Sequence, residues 1–598
     1  MKIAPCVDKC PIGLPIPDYI RKTASGRLKE AYYLIAKEAC IPSILGRICF
    51  HPCEDACRRA DIDEAISICN IKRFLGDNNF SLPKQRVFQR EKVGIVGGGP
   101  AGLSCAFSLL QLGYKVDIFE EKESAGGMPY IAIPLWRLPF PVLKKDIENL
   151  IKAGLSIKTN TKFGRDFGLD YLKREYDAIV IATGLPLSRG INEVSGKGVI
   201  LALEFLSAIK FNKPISLGKN VLVIGGGNVA MDCARAVLRL GRNVSLVCLE
   251  DYENMPCFKE EKISAKEEGV KLFPGFGPKE LIRENGKIRQ LKVMKVLSLF
   301  DKNNKFSPKF DENETKTIDC DTVIMAIGQM ADLKTLEKEG INPSLLKEEG
   351  FNNVFACGDI VLGPSNAASS IASGKRCARF IHYYFKKGKI EERRYEIIQP
   401  FPKDVIPRIV KSKRIKEEKI SLKERISSFN EIEKTYTLEN AFLEAGRCLY
   451  CGNGPRQEKE FCPLCLTCIR LCPLGGIKRE ERRAMPDPCI CQGCGICASF
   501  CPDNAIRVDW FFKEKYPKEL TIACFDNLEG NALRVRCLLS LGIPFLLSLL
   551  NNGVERISIK PCKDSCFVPS CKPLVSKMID RFKRILKEIG YKEAKCIG

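Results

Sequence analysis

Hydrophobic patterning changes several times along the 598-residue chain. Residues 1 to about 90 carry helical patterns, with apolar positions at three- and four-residue spacing in stretches such as IPDYIRKTASGRLKEAYYLIAKEA. From Lys92 the pattern becomes short continuous apolar runs, among them VGIV, KVDIF, AIVIATG, NVLVI and TVIMAIG. Separated by amphipathic stretches, such runs predict buried strands joined by helices in an α/β fold. Between about 386 and 445 the pattern fades into Lys, Arg and Glu, as in KSKRIKEEKISLKER, and predicts a linker or a solvated helix wrapping the preceding core. Cysteine-rich segments follow, and apolar runs return from about 518.

The first α/β run meets glycines at G-x-G-x-x-G spacing. Gly97, Pro100, Ala101 and Gly102 flank Gly99, a helical pattern follows, and the next strand ends on Glu120. The first glycine allows a tight turn, the second lets backbone approach a diphosphate, and the third lets helix pack on strand. The helix N-terminus then holds the diphosphate, and Glu120 accepts from a ribose hydroxyl. A second copy has Gly225, Gly227, Asn228, Val229 and Ala230 at G-x-G-x-x-A spacing, and its second strand ends at Leu249-Glu250. Two nested dinucleotide-binding units are expected.

Composition narrows the chemistry. The net charge of +23 comes from Lys and Arg mixed with Glu and no nucleic-acid motif accompanies it, so a solvated surface is expected rather than a nucleic-acid face. The N-terminus lacks an apolar signal region, and the longest apolar run, near Leu538 to Leu550, is too short to span a bilayer. A cytoplasmic protein without a membrane span is expected. With only His51 and His382, histidine-based triads are excluded. The 31 cysteines fall in tight clusters, which favours metal or iron–sulfur ligation over disulfides.

The plainest cluster signal is a doubled C-x2-C-x2-C-x3-C-P. It comprises Cys462, Cys465, Cys468 and Cys472, then Cys491, Cys494, Cys497 and Cys501. In this two-cluster ferredoxin pattern each fourth cysteine ligates the other cluster. Cys462, Cys465, Cys468 and Cys501 should hold one [4Fe–4S] cluster, and Cys491, Cys494, Cys497 and Cys472 its mate. Cys489 is extra.

PCVDKCPIGLPIPDYI and GRICFHPCEDACRRADIDEAISICNIKRF resemble the N-terminal two-cluster domain of the glutamate synthase small subunit and dihydropyrimidine dehydrogenase. The family's opening R-C-L-x-C is missing at the start and reappears as EAGRCLYCG. The resemblance implies that Cys448, Cys451, Cys6 and Cys57 hold one [4Fe–4S] cluster, and Cys10, Cys49 and Cys53 the other. Lys72 stands where the family can carry Gln, so Cys69, one helical turn earlier, is the candidate fourth ligand. Cys40 is expected to pack, and His51 to hydrogen-bond rather than ligate.

SAGGMPYIAIPLWRLP resembles the family stretch that passes the flavin, which brings in Gly127 and Arg137. Thr183-Gly184 marks the exit from the first domain, and Gly358-Asp359 the flavin ribityl or phosphate contact. CDTVIMAIGQ and NVFACGDIV are expected to supply the strands returning to the FAD domain. The family often has Arg-Arg where this chain has Leu249-Glu250, and an acid there favours NAD(H) over NADPH. LTIACFD and the segments after it resemble the delta subunit of methyl-viologen-reducing hydrogenases. This implies a [2Fe–2S] cluster on Cys524, Cys537, Cys562 and Cys566.

The expected multidomain order begins with a helical iron–sulfur domain, 1–90. Two Rossmann-like units follow: an FAD domain in two parts, 91–188 and 321–385, around an NAD(P) domain, 189–320. A charged linker, 386–445, leads to a ferredoxin-like α+β domain, 446–512, and a small α/β iron–sulfur domain, 518–598. The implied function is an electron-transfer flavoprotein subunit passing electrons between NADH, FAD and iron–sulfur clusters. Its partners would be ferredoxin or hydrogenase- or heterodisulfide-reductase-like subunits within a hetero-oligomeric complex, with bifurcation compatible. A glutamate synthase small subunit, or a non-enzymatic electron-carrying scaffold, are the alternatives.

Overall fold

The computed structural model describes residues 2–388, 395–409, 411–452, 456–457, 462–480, 483–501, 505–507, 518–524, 532–535, 538, 546, 549–550, 554–560 and 572–588. The first flavoprotein sheet has five parallel strands. Their order is Val354–Ala356, Ala178–Ile181, Lys92–Val96, Lys115–Phe119, Ser156–Lys158. The second sheet repeats this plan with Lys271–Pro274, Asn243–Cys248, Asn220–Ile224, Thr322–Met325 and Val199–Leu201.

The second sheet corrects one expectation. The TVIM run pairs with Asn220–Ile224 and Val199–Leu201, so it completes the inserted unit instead of returning to the first. It is the counterpart of AIVIATG: Ala326 O lies against Gly225 as Ala182 O lies against Gly97. The chain leaves and re-enters the first unit through a two-stranded ribbon, Leu187–Ser188 against Gln329–Met330. A three-stranded antiparallel sheet, Phe276–Glu284, Lys287–Phe300 and Phe306–Asp319, extends the inserted unit.

Helices Ile16–Ala24, Leu28–Ala39, Pro42–Ile48 and Ile68–Asp77 form the N-terminal domain. They share one hydrophobic core with the first flavoprotein unit, from Tyr19 and Ile35 through Leu103 and Phe107 to Ile381. The stretch expected as a linker is instead a strap across this domain. Glu396–Ile397 pairs in parallel with Lys2–Ile3, and Phe401, Val405 and Ile409 are buried. Helix Leu438–Gly446 buries Ala441, Phe442 and Ala445. Ion pairs substitute for apolar periodicity: Arg414–Glu54, Arg447–Asp63, Arg73–Glu431 and Arg47–Glu431.

The cysteine-rich domain pairs Ile477–Glu480 with Arg483–Pro486, and Arg456–Gln457 with Ile506–Arg507. Beyond it a parallel sheet, Leu533–Val535, Glu519–Cys524, Arg556–Ile559, meets helix Lys572–Glu588. The apolar core of this unit includes Ile496, with Cys494 and Ala498 against it. Among the described residues no helix is long and apolar enough to cross a membrane.

Asp146, on helix Phe140–Lys152, ties the flavoprotein to the N-terminal domain by accepting from Ile44 N–H at 2.8 Å. Burial pushes its carboxyl up to about 7, against the pull of that N–H and of Lys145. Tyr32 and Cys40 face the same carboxyl. The folded state therefore binds a proton that the unfolded chain, with a carboxyl near 4, has released. This contribution is complete below about pH 4 and is lost as pH rises through about 7. Asp146→Asn is expected to flatten the fall in melting temperature between pH 5 and 8 relative to wild type; an equal slope in both proteins would refute the assignment.

Candidate functional site

The two glycine loops are built alike. Gly97 and Gly225 have φ of +106° and +135°, where a side chain would strain the turn. A Cβ on Gly102 would sit 2.0 Å from Gly97 O, so only glycine lets helix Pro100–Gln111 approach the strand. Gly99 and Gly227 face open space instead: a Cβ on Gly99 would find only Gly127 Cα at 3.8 Å, and one on Gly227 nothing within 4 Å. That space is what a diphosphate needs.

A carboxylate stands beside each loop. Glu120 accepts from Gly98 N–H at 2.8 Å and Lys122 N–H at 2.9 Å, while burial raises its pKa. Glu250 reaches the same place by another route. Cys248, not Glu250, matches Glu120 in strand register, because Gly97 N–H donates to Phe119 O and Gly225 N–H to Val247 O. Yet Glu250 Oε2 lies 2.9 Å from the Cβ position of Gly226, as Glu120 Oε2 lies 2.9 Å from that of Gly98. Asn228 accepts from Phe258 N–H and Val229 is half-buried, so these two residues shape the second loop.

The remaining flavin-side residues gather at the first loop. Gly127 has φ +59°, and its Cβ position is 2.8 Å from Gly99 Cα. Thr183 N lies against Gly97, with Gly184 in open space. A Cβ on Gly358 would meet Ala101, and Asp359 accepts from Ser365 and Ser370 hydroxyls at 2.6 and 2.8 Å. Arg137 lies at the junction with the inserted unit. Its guanidinium pairs with Asp232 at 2.9 Å and Glu261 at 3.3 Å, joining the two dinucleotide units. The sequence also gave no sign of Cys105, Cys357 and Cys377, whose Sγ atoms lie within 4.8 Å of one another in the core beneath Gly358.

Cys6, Cys57, Cys448 and Cys451 line one cavity, together with Ile16, Ile20 and Arg58. Burial, then Cys451, Cys57 and Cys448, push the Cys6 thiol up, since thiolates crowd one another when no cation balances them. Cys448 accepts from Tyr450 N–H and Cys57 from Ile66 N–H, at 3.4 and 3.5 Å. Cys10, Cys49, Cys53 and Cys69 surround the ammonium of Lys72, which is 3% exposed. Burial works against that charge, but Cys49, Cys69, Cys53 and Cys10 outweigh it and raise the Lys72 pKa. Cys49 is held well below the ordinary thiol range by a hydrogen bond from Cys69, against burial and helped by Lys72. His51 contributes its backbone N–H to Cys49 Sγ at 3.4 Å.

In the next domain Cys472, Cys491, Cys494 and Cys497 line a second cavity. Cys472 accepts from Gly476 N–H at 3.1 Å and Cys501 from Ala505 N–H at 3.2 Å, the same four-residue offset in both halves of the repeat. Cys462, Cys465 and Cys468 lie near enough for the first two to push up the Cys468 thiol after burial. Cys489 bonds through its backbone to Asp487 and Arg58. Cys524 ends its strand, and Cys537, Cys562 and Cys566 fall outside the described residues.

The donor sets fit iron–sulfur clusters. Two buried groups look for an acceptor at these sites: Tyr19 Oη, among Cys53, Cys10, Cys6 and Cys69, and Arg58 Nε, in the wall of the first cavity. Neither has a partner among the described residues, a deficit of about 1–3 kcal/mol each that cluster sulfide would relieve.

Two nucleotide loops with an acid apiece, beside sets of four cysteines, define a flavin- and pyridine-nucleotide-dependent iron–sulfur oxidoreductase. Comparison with known proteins agrees. Residues 91–374 match the pyridine nucleotide-disulphide oxidoreductase family, and 2–83 match dihydropyrimidine dehydrogenase domain II, 4Fe-4S cluster. The chain is 35% identical over 499 residues to NADP(+)-dependent formate dehydrogenase subunit beta of Moorella thermoacetica, covering 75% of this chain and 70% of that protein. It is 30% identical to NAD-dependent dihydropyrimidine dehydrogenase subunit PreT of Escherichia coli O157:H7, over 64% of this chain and 91% of that one. To the glutamate synthase [NADPH] small chain of Escherichia coli K12 it is 31% identical, over 62% and 87%. The chain belongs to this family of NAD(P)H-linked, FAD-containing iron–sulfur electron-transfer subunits.

Gly227→Ala adds a methyl that meets no protein atom, so stability should stay within about 0.5 kcal/mol while pyridine nucleotides no longer bleach the flavin. Dithionite should still reduce it, and unchanged NAD(P)H bleaching would contradict the site. Asp63, held down at about 2 by Arg59 and Ser412 N–H despite burial, also pairs with Arg447 beside Cys448. Asp63→Ala removes the carboxylate that pairs with Arg59 and one of the two that pair with Arg447. It should cost about 3 kcal/mol and lower the iron content of the purified protein; full iron with unchanged melting would count against the strap's role.

Proposed function

We propose that this chain oxidises NADH and delivers the electrons through FAD and a row of iron–sulfur clusters to a partner redox protein. The observation that carries the reading is contiguity. Lys375, on helix Ala367–Lys386 of the flavoprotein, donates to Ile12 O at 3.1 Å, two residues beyond Cys10. The Cys10 set adjoins the Cys6 set through the short helix Pro52–Asp55, which bears Cys53, and through Cys57, which caps the turn Arg58–Asp61. Cys451 and Cys472 then border one hydrophobic cluster formed by Ile62, Phe401, Leu449, Leu474 and Ile490.

The bound cofactors would supply the conversion from two-electron hydride chemistry to one-electron transfer. The chain's own part is to bind, orient and exclude water. Gly97, Gly99 and Gly102 with Glu120 receive FAD, aided by Gly127, Thr183, Gly184, Gly358 and Asp359. Gly225, Gly227 and Ala230 with Glu250 receive the nicotinamide nucleotide. The ligand sets are Cys10, Cys49, Cys53 and Cys69; Cys6, Cys57, Cys448 and Cys451; Cys472, Cys491, Cys494 and Cys497; and Cys462, Cys465, Cys468 and Cys501. The C-terminal unit is read as a docking module with a [2Fe–2S] cluster on Cys524, Cys537, Cys562 and Cys566. Its partner would be a hydrogenase- or heterodisulfide-reductase-like subunit.

NADH is preferred because Glu250 stands where Glu120 stands in the first unit: it accepts from a free ribose hydroxyl and repels a 2′-phosphate. Anaerobic titration of the reconstituted protein should show NADH, not NADPH, bleaching flavin and clusters. Glu250→Arg should shift the preference toward NADPH at least tenfold, about 1.4 kcal/mol. Equal reduction by both nucleotides would remove the NADH assignment. Reduction by dithionite alone would instead favour a carrier awaiting its partner.

A further inference from the structure

We infer that Arg58 couples the Cys6, Cys57, Cys448 and Cys451 site to the ferredoxin-type domain, setting the electron affinity of the first and its contact with the second. The inference rests on the reading of these cysteines as cluster ligands. Arg58 is 6% exposed and touches three separate segments. One terminal nitrogen lies 3.7 Å from Cys451 Sγ, and the other donates to the Cys489 carbonyl at 2.9 Å. The guanidinium lies 3.6 Å from the centroid of the Phe401 ring. Its Nε, in the cavity wall, is the donor still without an acceptor among the described residues.

The neighbouring Arg59 spends its charge on Asp63. Arg58 has no carboxylate contact of that kind among the described residues, and it directs its charge at a cluster thiolate instead. Reduction adds one negative charge to such a site, and a fixed buried cation beside it favours the reduced state. The Cys489 carbonyl belongs to the turn in which Cys491 N–H bonds Asp487 O at 2.8 Å. Arg58 thus grips the loop that supplies a ligand to the next site. A guanidinium serves both ends at once; an ammonium is a single point charge and cannot.

The test uses the full chain with its clusters reconstituted, iron counted, and each cluster followed by potentiometric EPR. In Arg58→Met the electron affinity of one [4Fe–4S] signal should fall at least tenfold, about 59 mV for a one-electron couple. The other signals and the flavin should not move. In Arg58→Lys that midpoint should hold, while transfer from NADH-reduced flavin to the ferredoxin-type clusters slows in stopped flow. An unshifted midpoint in Arg58→Met at full iron content overturns the inference. If Arg58→Met loses iron, Arg58→Lys decides: a retained midpoint with slowed transfer supports the coupling, and a shifted midpoint or unslowed transfer overturns it. Wild-type protein that takes up no iron would sink the functional reading itself, before any variant is compared.

Discussion

The N-terminal domain cannot complete its own site; everything downstream depends on the chain coming back to it. The first 90 residues bring Cys6 and Cys57 to the cavity, and the other two walls arrive as Cys448 and Cys451. The return is fixed by a short parallel pairing at Lys2–Ile3 and by charges, Arg414 on Glu54 and Arg447 on Asp63 and Glu444. Buried ion pairs of this kind add little net stability, because desolvation offsets most of the attraction. They are demanding about geometry, however. Arg447 immediately precedes Cys448, so the pairing that orients the strap also orients a thiol.

This explains which features could be read from the sequence. The doubled ferredoxin spacing is local: each four-cysteine motif is written within a dozen residues and ends in Cys-Pro, and the exchange of the fourth cysteine follows from the doubling, so the cavity at Cys472, Cys491, Cys494 and Cys497 is legible. Both glycine loops were legible for the same reason. The split Cys6 and Cys448 site was legible only through resemblance, since nothing local links residues so far apart. That the charged segment wraps the preceding core is legible, but its buried contacts are not, because ion pairs leave no hydrophobic period. TVIM was assigned to the wrong sheet because a fully buried parallel strand has the same pattern in either one. The pairing of Arg137 with Asp232 is not legible, because its sequence neighbourhood lies near the flavin loop while its long side chain reaches the other unit.

A shared problem shapes the N-terminal cysteine sites. Sets of four buried thiolates repel one another and resist desolvation, so each needs positive charge that does not come from solvent. Bound iron would supply most of it. Among the described residues the protein places a cation beside each N-terminal set: Lys72 among Cys10, Cys49, Cys53 and Cys69, and Arg58 beside Cys451. Tyr19, fully buried between the two sets, adds a neutral donor common to both. The sets therefore differ in the kind of charge beside them, a compact ammonium in one and a planar fork in the other, so two neighbouring cysteine sets of similar make-up have different electrostatic surroundings.

The same economy governs the junction of the two dinucleotide units. Arg137 from the flavin loop meets Asp232 and Glu261; Arg235 links Glu261 to Glu268; Arg239 closes on Glu268 and stacks on Trp136. Lys210 of the inserted unit donates to Pro129 and Ile133 carbonyls of that loop at 2.7 and 2.6 Å. Burial draws its pKa down to about 7. Rotating one unit against the other would break the contacts that cross the junction, the Arg137 pairs, the Lys210 bonds and the Arg239–Trp136 stack, at about 3–5 kcal/mol for a broken buried ion pair. The ribbon of Leu187–Ser188 and Gln329–Met330 is thin enough to hinge, but the charges beside Trp136 are not free to follow. The groups that tie the two units together, Arg137 and Lys210, come from opposite sides of the junction, so the two nucleotide loops are braced against each other by charge as well as by the ribbon.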